Sequence, residues 1–337
     1  MTIFNQDYIS YLINEDEKTA SVVRFQYNYD SDRSVKLPRA VKFESKEYMI
    51  KSILKSSHAR IGSLRFSPDS EIIKIEKEAF CYSTIHSIFI PASLIELEKG
   101  WCQYIQNLIK IDVDPKNPRY KCYDKKLIIG KSTIDQEEYD TLVFCVRNIV
   151  EINIPNFIKI IEPHAFEFCI KLQKIEFDQN SQLEIIERQS FCFTPIKIIS
   201  IPPHCRKICE YAFSQCKKLS RIEIPTNSEL QTIEKNAFYL SSIESIFIPE
   251  NLTELKEGWN QGLYKLKRVE IDPKNQRYSF YQKMYIIGKS TQQQKNYDTL
   301  VFSVSNLSKA IIPKFIKFFD SYAFNCSTNL RKIIFES

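Results

Sequence analysis

Two copies of the segment Gly-Lys-Ser-Thr, at 130–133 and 288–291, come closest to a phosphate-binding motif. A P-loop has the spacing G-x-x-x-x-G-K-[ST], so that backbone amides at the start of a helix surround the phosphates. In this chain Lys125 and Lys283 stand where that motif needs its first glycine, and a polar loop and then a strand follow instead of a helix. We therefore interpret both segments as tips of hairpins.

The ten cysteines could carry chemistry as metal ligands or as disulfides. The densest group, Cys205, Cys209 and Cys216, has no C-x-x-C pair and no histidine at a ligand spacing. Five cysteines follow the anchor aromatic of a recurring phrase, a slot where repeat proteins bury a small side chain: Cys81, Cys169, Cys192, Cys216 and Cys326. We expect buried free thiols, with disulfides as the alternative. No metal site is predicted.

No catalytic site or cofactor site is predicted either. The four histidines have no serine, cysteine or carboxylate partner recognisable by motif, and the carboxylates are scattered along the strands. The six glycines include no G-x-G pair, which a dinucleotide-binding fold needs for close approach to a pyrophosphate. The sequence therefore favours a protein that is not an enzyme.

The composition indicates a folded chain without a nucleic-acid or membrane-spanning role. Hydrophobic residues make up 43% of the 337 residues and charged residues 26%, so the chain can bury a core. The net charge of +6 is spread along the sequence, whereas nucleic-acid binding needs a basic face. The N-terminal segment contains acidic residues and no apolar signal-peptide core, and no apolar run is long enough to span a membrane.

The sequence contains an internal duplication. The segment from Ile75 to Phe177 returns without a gap from Ile233 to Phe335, at a constant offset of 158 residues. The phrase IEKEAF recurs as IEKNAF, and both copies contain SIFIP, GKST and YDTLVF. Because self-similarity at a fixed period overrides any local assignment, the fold is predicted from the repeat first.

A shorter unit repeats within this duplication. Its anchor aromatic closes an I-x-x-x-A-F phrase, or a Gly-Trp variant of it, at these positions: Phe80, Trp101, Phe166, Phe191, Phe213, Phe238, Trp259 and Phe324. A short strand follows each anchor, often ends at a proline, and alternates inward apolar with outward polar side chains. Such units must stack to bury their apolar sides. The pattern predicts a strand-dominated α/β solenoid with a parallel sheet on one face and short helical or 3-10 turns.

The phrase AFSQCKKLSRIEIP at 212–225, and in part AFEFCIKLQKIEF at 165–177, resembles the BspA-like leucine-rich repeats. The insertion at 111–144, with its N-x-x-Y segment and two strands, is similar to that family's hairpin rung and recurs in the second copy. The resemblance covers about residues 50 to 337. It implies a leucine-rich-repeat solenoid with two hairpin insertions. It also implies a surface-associated protein that adheres to host or microbial proteins, extracellular-matrix proteins such as fibronectin among them.

Two functions fit these features. The resemblance implies a non-catalytic protein-binding module for adhesion at the cell surface. An intracellular scaffold or regulatory protein in the cytoplasm is the alternative, favoured by the missing signal peptide and by the free cysteines.

The two ends of the chain depart from the repeats. Residues 1–50 lie outside the repeat register and predict a β-rich cap on the solenoid of residues 51–337, because the first rung needs cover. At the other end, Ile333 and Phe335 are expected to point inward with no capping unit after them. This predicts an open end, which a partner or a second copy covers end to end, unless the sequence is a fragment.

The outward positions of the strands predict a protein-binding face. Most rungs present a basic and an acidic residue, which pair across neighbouring strands. Phe89 and Phe247 interrupt this pattern at equivalent places of the two copies, and two isoleucines extend the second apolar stretch. The predicted contact residues are Phe89, Phe247, Arg221, Arg268, Ile311 and Ile334. The alternative is that a hairpin insertion or a turn covers the apolar ones.

Overall fold

The computed structural model describes residues 2–26, 34–55 and 59–336. The chain divides into two compact units, unit 1 with residues 1–149 and 162–170 and unit 2 with residues 150–161 and 171–337. The predicted strand-dominated solenoid is confirmed. The predicted helical or 3-10 turns are wrong, because the described residues form strands and turns and none of them is helical.

Unit 1 contains antiparallel strands at its start, parallel rungs after them and a three-stranded antiparallel meander. One sheet has the order β1-β2-β3-β6-β8-β10, with β5 on β6, a second has the order β11-β9-β7-β4, and the meander is β12-β13-β14. The strands are β1 (Thr2–Gln6), β2 (Ile9–Asn14), β3 (Thr19–Phe25), β4 (Ser34–Leu37), β5 (Ala40–Phe43), β6 (Lys46–Ile53), β7 (Ser63–Phe66), β8 (Lys74–Ile75), β9 (Ser87–Ile90), β10 (Glu96–Leu97), β11 (Lys110–Val113), β12 (Tyr120–Tyr123), β13 (Leu127–Gly130) and β14 (Thr141–Cys145).

Unit 2 repeats this plan with parallel ladders. Its short strands form the order β16-β18-β20-β22-β24, its longer ones form β15-β17, β19-β21-β23-β25 and β29-β31, and its meander is β26-β27-β28 with β30 on β28. The strands are β15 (Glu151–Ile154), β16 (Ile160–Ile161), β17 (Lys174–Phe177), β18 (Ile185–Ile186), β19 (Ile198–Ser200), β20 (Lys207–Ile208), β21 (Arg221–Glu223), β22 (Thr232–Ile233), β23 (Ser245–Ile248), β24 (Glu254–Leu255), β25 (Arg268–Ile271), β26 (Tyr278–Tyr281), β27 (Tyr285–Gly288), β28 (Thr299–Ser303), β29 (Lys309–Ile312), β30 (Phe318–Phe319) and β31 (Lys332–Phe335).

Each repeat turns without a helix because its I-x-x-x-A-F phrase contains a left-handed residue. Glu78 precedes Ala79 with φ 61°, and Asn236 takes the same place in the second copy with φ 55°. The amide of Ala79 donates to the carbonyl of Glu76 at 3.2 Å and closes a single turn. A right-handed helix cannot continue through such a residue, so the chain turns and enters the next strand.

The anchor aromatics form the core of each unit. In unit 1 the ring of Trp101 lies 6.3 Å from that of Phe80 and 5.6 Å from that of Phe144. In unit 2 the rings of Phe191 and Phe213 stack at 5.1 Å. Trp101 and Trp259 are 1% and 2% exposed, so both tryptophans are core residues.

The N-x-x-Y segment holds each hairpin insertion on the rung before it. Asn117 is 5% exposed, and its amide donates to the carbonyls of Pro91 and Leu94 at 2.7 and 2.8 Å. Its side-chain oxygen accepts from the amide of Tyr120 at 2.7 Å, and the Tyr120 hydroxyl accepts from the amide of Leu97 at 2.9 Å. These bonds give the buried asparagine its partners and join the insertion to the preceding rung.

The last rung of unit 2 is exposed. Ile333 and Phe335, which the sequence predicts to point into the core, are 45% and 66% exposed. They lie on the same side of the sheet as their buried pairing partners Ala310 and Ile312. Ile175, the counterpart of Ile333 in the first copy, is 6% exposed and lies on β17, which contacts the following strand β19. Burial of a solenoid strand depends on the rung that stacks on it.

Candidate binding groove on the parallel sheet of unit 2

Three of the predicted contact residues lie around one cleft on the sheet β19-β21-β23-β25. Arg221, Phe247 and Arg268 line a cavity of about 430 Å³, together with Glu223 and Glu270. We name it the central cleft. Phe247 is half-buried in it, and the two arginines are exposed. The sequence predicted these positions as outward-facing, and the structure brings them together across three strands.

Strand register explains why these side chains converge. Ser245 pairs with Arg268 and Phe247 pairs with Glu270 across β23 and β25. Between β21 and β23 the only pair in register among the described residues is Arg221 with Ser245. The two strands therefore separate towards Glu223 and Phe247, which leaves room for the cleft beside the ring.

The charges of the central cleft form two rows across the strands. Arg221 and Arg268 occupy the first outward position of their strands, and Glu223 and Glu270 occupy the second. The Arg221 Nε lies 3.3 Å from a carboxylate oxygen of Glu223, and the Ser200 hydroxyl donates to the other oxygen at 2.5 Å. These pairs are solvent-exposed, so they add little stability and their side chains can be shared with a ligand.

A second, larger cavity adjoins the central cleft, and sequence reasoning missed it. It has a volume of about 1130 Å³ and shares Glu223 and Ile224 with the central cleft. Its other lining residues include the adjacent prolines Pro202 and Pro203, and His204. We name it the proline cleft. The doubled proline after a strand is the feature of the sequence that marks this cleft.

The proline cleft carries a small charged network. The carboxylate of Glu229 lies 2.9 Å from the Nδ1 of His204 and 3.1 Å from the Nε of Arg206. The hydrogen bonds from His204 and then Arg206 hold the pKa of Glu229 below its ordinary value. The two clefts form a continuous groove across strands β15 to β25, which we call the unit 2 groove.

The other predicted contact residues lie elsewhere. Phe89, in unit 1, is half-buried on β9 and pairs with Asp112 of β11. Ile311 on β29 is 38% exposed and pairs with Ile334 of β31, which is half-buried. None of these three lines the central or the proline cleft.

The Gly-Lys-Ser-Thr segments bind their own chain. Gly130 ends β13, and the loop after it leads to the antiparallel strand β14, as predicted for a hairpin. The amide and hydroxyl of Ser132 donate to the carboxylate of Asp140 at 2.8 and 2.9 Å. In the second copy Ser290 makes the same bonds to Asp298, both at 2.7 Å. The amide and hydroxyl of each serine are thus bonded to a carboxylate of the same loop.

The cysteines are free, as predicted, and nine of the ten are buried. Burial raises the pKa of Cys102, Cys205 and Cys216 to about 12. Among the described residues no group of three or more histidine, cysteine or acidic side chains is arranged to hold a metal ion. No helix in the described part of the chain has the length and apolar character of a membrane span.

A known protein family matches the repeats of this chain. A model of the BspA type leucine rich repeat region matches in six copies, over residues 39–123, 138–267 and 276–337. The chain belongs to the BspA-type leucine-rich repeat family. Arg221 and Phe247 of this BspA-type protein lie within the matched repeats.

The BspA-type chain is also similar to solved bacterial structures. One is a leucine rich cell surface protein from Faecalibacterium prausnitzii, at 15% identity over 100% of this chain and 77% of the other, with a TM-score of 0.42. Another is the pneumococcal vaccine antigen PcpA, at 17% identity over 100% and 99%, with a TM-score of 0.43. A third is a leucine-rich repeat protein from Bacteroides ovatus, at 18% identity over 99% and 71%, with a TM-score of 0.40. A search of curated proteins found no match.

Proposed function

We propose that this protein is a non-catalytic binding module that holds a partner protein in the unit 2 groove. The observation that carries the proposal is the central cleft, where Phe247 lies between Arg221 and Arg268. Aromatic residues and arginines dominate the energetics of protein interfaces, because they combine a large apolar surface with directed polar contacts. A rigid solenoid sheet presents them in fixed positions.

The groove suits an extended segment of the partner that crosses the strands. Neighbouring strands lie about 4.8 Å apart, so the six strands that contribute to the groove span roughly 25 Å. A partner side chain of negative charge can bind the arginine row, and one of positive charge can bind Glu223 and Glu270. An apolar side chain between them would rest on Phe247.

The proposal predicts a selective loss of binding when the cleft is altered. We test two variants, Phe247→Ala and the double variant Arg221→Ala/Arg268→Ala. Binding should weaken by roughly 1–3 kcal/mol for each residue removed. Stability should change little, since these side chains are not fully buried. Immobilised fibronectin, which the family resemblance implies as a ligand, is the first probe for surface plasmon resonance. Thermal unfolding of each variant reports stability.

Matched controls separate the groove from the rest of the surface. Tyr264→Ala removes an aromatic side chain that is 51% exposed and lies outside both clefts, so it should leave binding unchanged. Phe89→Ala tests the equivalent aromatic of the first copy, and Phe89→Ala/Phe247→Ala tests both. Unchanged binding of the double variant, or a collapse of its melting temperature, would contradict the role proposed for these residues.

Two cellular locations follow from different features, and we propose the cell surface. Family membership supports it. The alternative, an intracellular scaffold, is supported by nine buried free thiols, which persist most easily in a reducing compartment. Surface biotinylation, with glycan analysis of the exposed Asn251 in its Asn-Leu-Thr sequon, should be positive only for an exported protein.

We further propose that the last rung of unit 2 pairs with a second copy of the chain. Phe319, Ile333 and Phe335 are 45%, 45% and 66% exposed. Their counterparts Ile161 and Ile175 in the first copy are 0% and 6% exposed, because further strands follow them. Aromatic side chains at such a position are typical of interfaces.

Sedimentation velocity at tens of micromolar tests this pairing. A dimer should appear for the chain and disappear for Phe335→Glu, whereas Ile198→Glu, which changes an isoleucine 50% exposed on β19, should leave the dimer intact. A monomer at every concentration would contradict the pairing.

A further inference from the structure

The interior of unit 1 holds a buried arginine that forms no ion pair with a carboxylate of the described residues. Arg147 is 2% exposed. Its guanidinium donates to the carbonyls of Ile105 at 3.0 Å, His164 at 3.0 Å, Ala165 at 2.7 Å and Cys145 at 3.3 Å. These bonds give each guanidinium nitrogen an acceptor but do not neutralise the charge, which is permanent because arginine keeps its proton in proteins.

A cysteine is the group that can supply the missing negative charge. Among the described residues no acidic side chain forms an ion pair with Arg147, and the buried Glu167 pairs with His164 at 3.0 Å. The Sγ of Cys169 lies 3.7 Å from the Nη1 of Arg147, and the ring of Phe144 lies 4.3 Å from the guanidinium carbon. A buried cation without an anion is costly, so this arrangement favours the thiolate of Cys169.

A second thiol lies in the same part of the core. The Sγ atoms of Cys145 and Cys169 lie 3.6 and 3.7 Å from the same atom, the carbonyl oxygen of Val146. Both cysteines are 0% exposed. Both thiols therefore lie beside one carbonyl oxygen, and that of Cys169 also contacts the guanidinium.

The ionisation of the pair follows from these contacts. Burial alone would raise the pKa of Cys169, but the hydrogen bond from Cys145 and the charge of Arg147 outweigh it and hold this pKa below the ordinary value; Glu167 acts weakly in the other direction. Burial raises the pKa of Cys145 well above its ordinary value, and its contact with Cys169 raises it further against Arg147 and Lys126.

The second copy shows that the fold does not need this chemistry. Its equivalents of Cys145, Arg147 and Cys169 are Ser303, Ser305 and Ser327. The hydroxyls of Ser303 and Ser327 hydrogen-bond at 3.1 Å, and Ser305 bonds the carbonyl of Leu266 at 3.1 Å. Neutral hydroxyls therefore suffice for packing, and the charged thiol cluster of unit 1 calls for another explanation.

We propose that Cys145 and Cys169 are a peroxide-sensitive thiol pair, with Cys169 as the reacting thiolate, Arg147 as its positioning residue and Cys145 as the resolving thiol. The thiolate attacks one oxygen of hydrogen peroxide, the O–O bond breaks, and Cys169 becomes a sulfenic acid while hydroxide leaves. Hydroxide takes the proton of Cys145, whose sulfur attacks the Sγ of Cys169. The S–S bond forms as the S–O bond breaks, and the hydroxyl leaves and is protonated to water. Two thiols and one peroxide thus give one disulfide and two waters.

The chain provides its own reference thiols. Cys205 and Cys216 in unit 2 are also 0% exposed, and in the part of the chain that the structure describes neither sulfur hydrogen-bonds an arginine. With hydrogen peroxide at pH 7, differential alkylation and mass spectrometry should show Cys145 and Cys169 oxidised roughly 10- to 30-fold faster than the reference thiols, as disulfide-linked peptides, because far more of Cys169 is thiolate. Equal rates for all four cysteines would overturn the proposal.

Variants and a pH profile test the positioning role separately from folding. Cys145→Ser should leave a sulfenic acid on Cys169 that dimedone traps. Arg147→Ser should slow oxidation of Cys169 at least about tenfold and shift its pH profile upward, whereas Arg147→Lys, which restores a cation, should recover part of the rate. The triple variant Cys145→Ser/Arg147→Ser/Cys169→Ser carries the residues of the second copy and is the folding control.

If Arg147→Ser does not fold, the pH profile of the unaltered chain still tests whether Cys169 reacts as a thiolate. Its oxidation rate should level off at a lower pH than that of an ordinary thiol, whose pKa is about 8.5, since the pKa of Cys169 is lowered. A rate that rises about tenfold per pH unit up to about pH 8.5, as for an ordinary thiol, would overturn the assignment of Cys169 as a thiolate.

Discussion

The two copies of the duplication fill one buried position in different ways. In unit 1, Arg147 donates to backbone carbonyls and contacts the Sγ of Cys169. In unit 2, Ser305 occupies the equivalent place with hydroxyl neighbours. The backbone around them is the same, since Arg147 N donates to the carbonyl of Leu108 at 3.0 Å and Ser305 N donates to that of Leu266 at 3.4 Å.

This difference separates what the repeat needs from what one copy adds. The repeat needs hydrogen-bond partners for the buried carbonyls where the meander rejoins the rungs. Hydroxyls meet that need in unit 2 without any charge. The first copy adds a permanent buried cation and two thiols. Removing one member of such a charged group is expected to lower the stability of unit 1 more than the matching change lowers that of unit 2.

The largest expected effect is therefore a contrast between two alanine substitutions. Arg147→Ala should lower the free energy of unfolding of unit 1 by about 3–5 kcal/mol, because it leaves buried carbonyls and Cys169 without their partner. Ser305→Ala should cost about 1 kcal/mol in unit 2. Urea unfolding followed by tryptophan fluorescence measures both.

The single tryptophan of each unit allows these losses to be assigned. Trp101 reports on unit 1 and Trp259 on unit 2, so each alanine variant is measured with the other tryptophan replaced by phenylalanine. Equal losses for Arg147→Ala and Ser305→Ala would show that the charge adds nothing to the cluster.

The second prediction is a case where the copies should agree. Asn117→Ala and Asn275→Ala should each lower the free energy of unfolding by about 2–4 kcal/mol, because each asparagine holds two carbonyls of the preceding rung. The same urea experiment applies, and Gln276→Ala at the neighbouring exposed position is the control. A clear difference between the two asparagines would mean that the hairpin insertions are held differently.

The smallest expected effect is a change of stability with pH that depends on Asp298, in the loop between β27 and β28. Although burial acts against it, hydrogen bonds from Ser290, Gln294 and Thr299 hold the pKa of Asp298 below its ordinary value. A lowered carboxyl pKa stabilises the fold above the ordinary pKa of about 4, and this contribution is lost as pH falls through the folded value.

The matching experiment follows the urea midpoint of unit 2 as the pH is lowered from 6. The midpoint of the unaltered chain should fall, and that of Asp298→Asn should already be lower at pH 6 and should fall less. The difference between them corresponds to about 1 kcal/mol at pH 6. Parallel curves for the two proteins would contradict the role of Asp298.

Particular residues show how far the sequence predicted this structure. The duplication, the strand positions, the alternation around Ile246 and Phe247 and the burial of Trp101 and Trp259 were predicted, because each depends on a short period. The helical turns were wrongly predicted, since nothing in IEKEAF announces that Glu78 adopts φ 61°. The central cleft was predicted only as separate positions, because the opening beside Phe247 depends on how two strands pair.

The sequence by itself determined the solenoid, its duplication and the side chains that face outward, because these follow from periodic burial along a single strand and the next. Only the tertiary structure decided which distant residues meet. Arg147 contacts Cys169 across 22 residues, which is a spacing of neighbouring rungs, but it also reaches Ile105 across 42 residues, which is not. The hairpin insertion sets that distance, and chemistry that depends on two loops meeting is invisible to a periodic pattern.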